Sequence, residues 1–287
     1  MPSTYAHAVF GETMLRLYPD RIRELSEQAP DLFRIGLHGP DILFYYRPLT
    51  HDPVNRLGSS MHDLPAEGFF SRGAQVMRDT GDSARRQQEL AYLLGFLCHF
   101  SLDSICHTYV EKKIQVSGVS HTEIETAFDR HLLLRDGRDP LRQKLTGHLH
   151  PTSGAAAVIA PFFEGVRAAQ VDESLRSMVR CLDFLVAPQP WKRGLISLGL
   201  TVTGNRKAMG GLVMSRRPDP RCADSDMRLE KLMTVSAGLC LRLTENYLAW
   251  LEGRAPLDPW FQKTFSADES WPSVPVYPPE KEQTYEV

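Results

Sequence analysis

Between residues 99 and 125 the chain sets out side chains that could bind metal. His99, Asp103 and His107 follow at steps of four, and after a turn come His121 and Glu125, again four apart, with Asp129 extending the line. A step of four drifts only about 40° around an α-helix, so the first three share a stripe about 80° wide. Imidazole suits zinc, and a carboxylate can bind it terminally or bridge two ions. If the two helices pack antiparallel, their stripes converge. Asp103 and Glu125 buried without partners in so apolar a segment would each be strongly destabilising. Metal ions would remove that penalty; a buried salt-bridge network is the alternative. Upstream stand further ligand types: His7 in YAHAVFG, His38 beside Asp41 after the Gly39-Pro40 break, and His51 and His62 in or beside a Pro/Gly/Ser-rich stretch.

The elements that must position these residues read as helices. Ser3 or Thr4 can cap a helix to Tyr18, where Pro19 stops it. A short helix over 19–28 follows, then an aromatic run in GLHGPDILFYY. Residues 47–68 read as a long loop. Helical patterns cover 66–78 and Ser83 to Lys113, the latter capped by Asp82 or Ser83 and apolar on all sides from Leu90 to Ile105, as expected of a central buried helix. Ser120 caps the next helix, to about Leu134. DGRDP is a break and 148–153 a loop. Helical patterns at 155–170, 172–186 and 225–252 follow, with a mixed segment at 188–222 and a proline-rich, surface-hugging or loose tail from Arg254. The expectation is one all-α domain over 1–252, with a ligand-bearing core at 1–135, a helical extension at 150–252 and a tail at 253–287.

Composition narrows the function classes. The chain has 287 residues, 42% hydrophobic and 24% charged, with a formal net charge of -2. No global basic field marks a non-specific nucleic-acid binder. The N-terminus lacks the pattern of a secretory signal, and AYLLGFLCHFSLDSI is short for a membrane span, so a cytoplasmic address is expected. The five cysteines include no C-x-x-C pair and read as buried hydrophobes. Phe44, Tyr45 and Tyr46 could stack a base or pack lipid chains, or sit in the core.

YAHAVFG, GPDILFYY, LGSSMH, GFLCHFSLDSICHTYV and SHTEIETAFD together resemble the zinc-dependent phospholipase C family, whose fold is shared with fungal single-strand-specific nucleases. The resemblance covers roughly residues 1–135. It implies an all-α fold of that type and a zinc-dependent phosphoesterase with two or three zinc ions. Carried over by position, Asp41, His62, His99 and Asp103 would hold one zinc, His107, His121 and Glu125 a second, and His7 with a bridging Asp103 a third. LGSSMH favours His62 over His51. The secreted members complete the third site with an N-terminal Trp, and this sequence begins Met-Pro-Ser instead. The activity implied is attack of a metal-activated water on a phosphate ester (a phospholipid, a nucleotide or a small metabolite), with Asp41 as a candidate general base; clustered zinc acidifies water and neutralises phosphoryl charge. Asp129 would orient a ligand histidine or remain a surface charge.

Three rivals remain. The His51-Asp52 and His62-Asp63 pairs invite a helical His-Asp phosphohydrolase, but Pro53 and Pro65 argue for loops there. A ferritin-like centre needs Glu-x-x-His motifs that the chain does not place suitably. The third is a non-catalytic zinc-binding module that meets a partner through its C-terminal half; a zinc closed to solvent would favour it.

Overall fold

The structure is a computed structural model, and it describes residues 4–48, 50, 52–202, 204 and 210–287. The described residues are all-α, with no strand among them. Helices α1 (Thr4–Leu17), α2 (Asp20–Glu27) and α3 (Pro30–Gly36) lead to a 3-10 turn at Gly39–Tyr45. Then come α4 (Pro53–Met61), α5 (Ala66–Asp79), α6 (Ser83–Ser117), α7 (His121–Arg135), α8 (Ser153–Ile159), α9 (Ala168–Leu185), α10 (Pro190–Val202), α11 (Ala223–Leu251) and a final turn, α12 (Pro279–Glu282).

α6 is the axis of the fold. Asp82 caps it by accepting the Ala84 N–H at 3.1 Å, and from Ala91 to Ser104 every residue is buried. It packs most extensively against α3 and α11. The α3 contact is backbone on backbone: a Cβ on Gly95 would lie 2.1 Å from the Phe33 carbonyl oxygen, so only glycine allows this approach. By length and composition α6 could cross a membrane, which the shorter stretch read from the sequence did not suggest. However, 89% of its most apolar window is buried inside the fold, as in a core helix.

α7 begins as the sequence predicts. The Ser120 side chain accepts the Glu123 N–H while the Glu123 carboxylate accepts the Ser120 N–H, a reciprocal capping box. Other segments depart from expectation. The stretch 47–68 is not one long loop. Asp52 accepts the Val54 N–H and Pro53 opens α4, because proline's fixed φ and missing N–H suit a first helical turn. The helix expected over 155–170 breaks at the 3-10 turn Ala160–Phe162, and Gly165 has φ 72°. Within the mixed segment 188–222 lies α10. The tail is not loose: Phe261 and Phe265 are buried in the core, and Glu282 forms a buried two-pronged ion pair with Arg228 at 2.6 and 2.8 Å.

Candidate metal centre

All eight expected ligand residues meet in one continuous network. Asp103, on α6, lies at its middle: its Oδ1 is 3.1 Å from His7 Nε2 and 3.9 Å from His107 Nε2, and its Oδ2 is 3.1 Å from His99 Nε2 and 4.0 Å from His62 Nε2. Asp41 joins from the 3-10 turn, 3.0 Å from His62 and 3.9 Å from His99. On the other side, Glu125 Oε1 on α7 is 3.4 Å from His107 and 2.9 Å from His121. Among the described residues, three sets bring ligand atoms within 4.8 Å of one another: His7, His99 and Asp103; Asp41, His62 and His99; and His107, His121 and Glu125. The third set is the grouping implied by the resemblance. In the other two Asp103 groups with His7, as the resemblance implies, but His99 belongs to both and Asp103 is not in the set of Asp41 and His62.

The fold fixes which nitrogen each histidine turns inward. His107 Nδ1 lies 2.6 Å from the Phe265 carbonyl, His62 Nδ1 2.9 Å from that of Gly58, and His99 Nδ1 3.3 Å from that of Leu37. A carbonyl oxygen only accepts, so in all three rings Nδ1 carries the proton and donates. Nε2 is then the nitrogen that each ring turns to the carboxylates. Without metal a protonated ring offers them Nε2–H; with a cation between them the ring is neutral and its Nε2 lone pair binds the cation. Both Asp41 oxygens, Asp103 Oδ2, Glu125 Oε2, His99 Nε2 and His7 Nδ1 are buried without a hydrogen-bond partner. A donor set of imidazoles and carboxylates with orphaned inward atoms fits zinc.

The electrostatics agree. Burial opposes the charged form of Asp103, but His99, His107 and His7 outweigh it and hold its carboxyl well below the usual range. Asp41 is likewise lowered, burial being overcome by His99 and His62. Glu125 is lowered by His121 and His107 against its burial. His107 is driven up to about 9 despite burial, by Asp103 and Glu125. The pocket thus holds anionic carboxylates and calls for positive charge.

Several supports escaped the sequence. Asp129 is not a surface charge but is buried. From α7 it accepts the Tyr5 N–H at 3.1 Å and the Ala6 N–H at 2.8 Å, capping the start of α1 and so seating His7. Ser3, the other expected cap, lies outside the described residues, as does His51. Gly39 has φ +49°, and a Cβ there would lie 2.2 Å from His99 Cδ2. His38 stays outside the network and pairs with His148, Nε2 to Nε2, at 2.7 Å. Asp63 accepts a hydrogen bond from Ser266 Oγ and is apart from the ligand set. Tyr45 and Tyr46 are core residues, while Phe44 stacks on His62 with centroids 5.3 Å apart.

The site and the helical fold around it define a metal-binding all-α protein with a histidine and carboxylate centre. A family model described as zinc-dependent phospholipase C matches residues 2–164, more than half of the chain, and the chain belongs to that family. No curated protein and no solved structure matches the chain.

Proposed function

We propose that the chain is a zinc-dependent phosphoesterase whose two or three zinc ions are held by His7, Asp41, His62, His99, Asp103, His107, His121 and Glu125. The observation that carries this reading is the inward Nε2 set facing carboxylates in a family of zinc-dependent phospholipases C. Zinc bound there would supply charge neutralisation for the phosphoryl oxygens and acidify a water. Asp41 is the residue we assign as base. His99 and His62 keep it a carboxylate despite burial, and its oxygens have no hydrogen-bond partner, so it can take a proton from a water beside it. The ester is that of a phospholipid or a related phosphate ester.

One observation favours a second reading, a non-catalytic zinc module. Within the network only the His121 side chain, 35% exposed, reaches appreciably to solvent, and that of His62 is 12% exposed. Metal content and turnover of bis-p-nitrophenyl phosphate, measured on wild type beside Asp103→Ala, separate the readings. Two or three zincs per chain, falling together with turnover in the variant, support the enzyme. Full zinc without turnover on this ester or on phospholipid favours the module. Zinc absent, with no turnover after its addition, removes both. Asp41→Asn that keeps zinc and activity would remove Asp41 as the base.

A further inference from the structure

α10 carries its apolar residues on the outside. Trp191, Leu195, Leu198 and Val202 are 66%, 60%, 61% and 79% exposed. Spaced by four, three and four, they fall within an arc of about 60° on the helix. Phe184, at the end of α9, is 60% exposed as well. These five are almost half of the exposed large apolar residues among the described residues, gathered within nineteen positions. Scattered exposed apolar residues need no explanation, whereas a contiguous stripe does.

The charge of the segment that carries this stripe is one-sided. From Phe184 to Pro218 the sequence holds six Lys or Arg and no Asp or Glu, in a chain whose overall net charge is -2. Among the described residues none of Lys192, Arg193 and Arg216 has an ion-pair partner; they donate to backbone carbonyls of Val186, Ala187, Met214 and Pro188. A second copy on this face would bring like charges together. An acyl surface rimmed by anionic headgroups meets both features at once.

We propose that α10 is an interfacial helix that lies on anionic lipid bilayers, its Trp191-to-Val202 stripe in the acyl boundary and its basic flanks among the headgroups. With thirteen residues it reaches about 20 Å, too short to cross the hydrocarbon core. Its inner face has another role. Arg193, Ser197 and Leu200 form one wall of a cavity of about 820 Å³ whose opposite wall is Gly118, Ser120 and Glu123, at the start of α7. His121, the most exposed of the expected ligands, is the first residue of that helix. Docking therefore places the bilayer next to the start of α7, the helix that carries His121 and Glu125, and so brings phospholipid near the centre. Only this last step, presentation of a phospholipid as substrate, rests on the phosphoesterase reading.

The test is flotation of the full chain with phosphatidylcholine vesicles, with and without phosphatidylglycerol. Wild type should float with the anionic vesicles, less so as salt is raised, and its tryptophan emission should shift to the blue in a manner lost in Trp191→Phe. Leu195→Ser combined with Leu198→Ser should weaken binding roughly tenfold or more while the thermal melt stays unchanged, since both side chains are exposed. Asp103→Ala should float like wild type, so lost turnover and lost docking are read separately. Wild type that floats with neither vesicle, or a double variant that floats equally well, overturns the proposal. So does a concentration-dependent dimer that the double variant dissolves, which would assign the stripe to a second copy.

Discussion

His107 Nδ1 donates to the backbone carbonyl of Phe265, 158 residues further along the chain, at 2.6 Å. The same tail segment grips the other side of the centre, because the N–H groups of Phe265 and Ser266 both donate to the His62 carbonyl at 3.1 Å. The Phe265 ring packs against Phe96, Phe100, His99 and His62. One buried residue thus sets two of the histidines proposed as ligands.

Phe265→Ala keeps the carbonyl but removes the ring that holds it. Core Phe-to-Ala changes cost about 3–5 kcal/mol, and disturbing a support of a ligand histidine lowers metal affinity about 10–100-fold. Urea midpoints and zinc titration against a chromophoric chelator measure the two effects. Phe265→Leu should recover most of both. A stable Ala variant with unchanged zinc affinity would show that the tail does not set His107.

Asp129→Ala leaves two buried N–H groups at the start of α1 uncapped. Loss of hydrogen bonds to a charged group costs about 1.5–3 kcal/mol, and His7 loses its seat. The expected result is a lower urea midpoint and reduced zinc content. Unaltered zinc content would mean that His7 is not needed to retain the metal.

The His38–His148 pair gives a pH dependence away from the centre. Burial, with Arg34 and His150 nearby, lowers His148 from 6.5 to about 4. The folded chain therefore keeps it neutral where the unfolded chain takes up a proton. Its stabilising contribution, about 3 kcal/mol at most, is complete above pH 6.5 and lost as pH falls towards 4. His148→Gln should flatten denaturation midpoints across that window. An identical slope in the variant would place the titration elsewhere.

Asp226 gives the opposite slope. Burial, helped by Asp224 and Asp219 and opposed by His131 and Arg130, raises its carboxyl to about 7, and its Oδ1 is buried without a hydrogen-bond partner. The folded state holds the proton between the ordinary carboxyl range and pH 7, so stability falls as pH rises through that interval. Asp226→Asn should be more stable than wild type at pH 8 by on the order of 1–3 kcal/mol and nearly equal at pH 4. Chemical denaturation at the two pH values checks this.

The eight ligand types and the two helices that carry five of them were legible because helical periodicity is local. Ser120 with Glu123 three positions later announces α7, and the four-residue steps of α6 announce its stripe. The helix opened by Pro53 was hidden because the same residue both breaks and starts helices. α10 was hidden because its apolar stripe faces solvent and its segment is rich in glycine. What could not be read were the long-range partners. The carbonyls of Leu37, Gly58 and Phe265 bear no side-chain signature, and Asp129 looks like any helical carboxylate until α1 is packed against it.

The Phe265 contact also bears on synthesis. All eight expected ligand side chains have been translated by residue 125, yet the carbonyl that orients His107 and the amides that clasp His62 come about 140 residues later. Chains emerge from the ribosome N-terminus first. A nascent chain that has passed residue 125 but not residue 265 holds every expected ligand and still lacks the clasp. The order of synthesis thus delivers the expected ligands well before the segment that orients two of them.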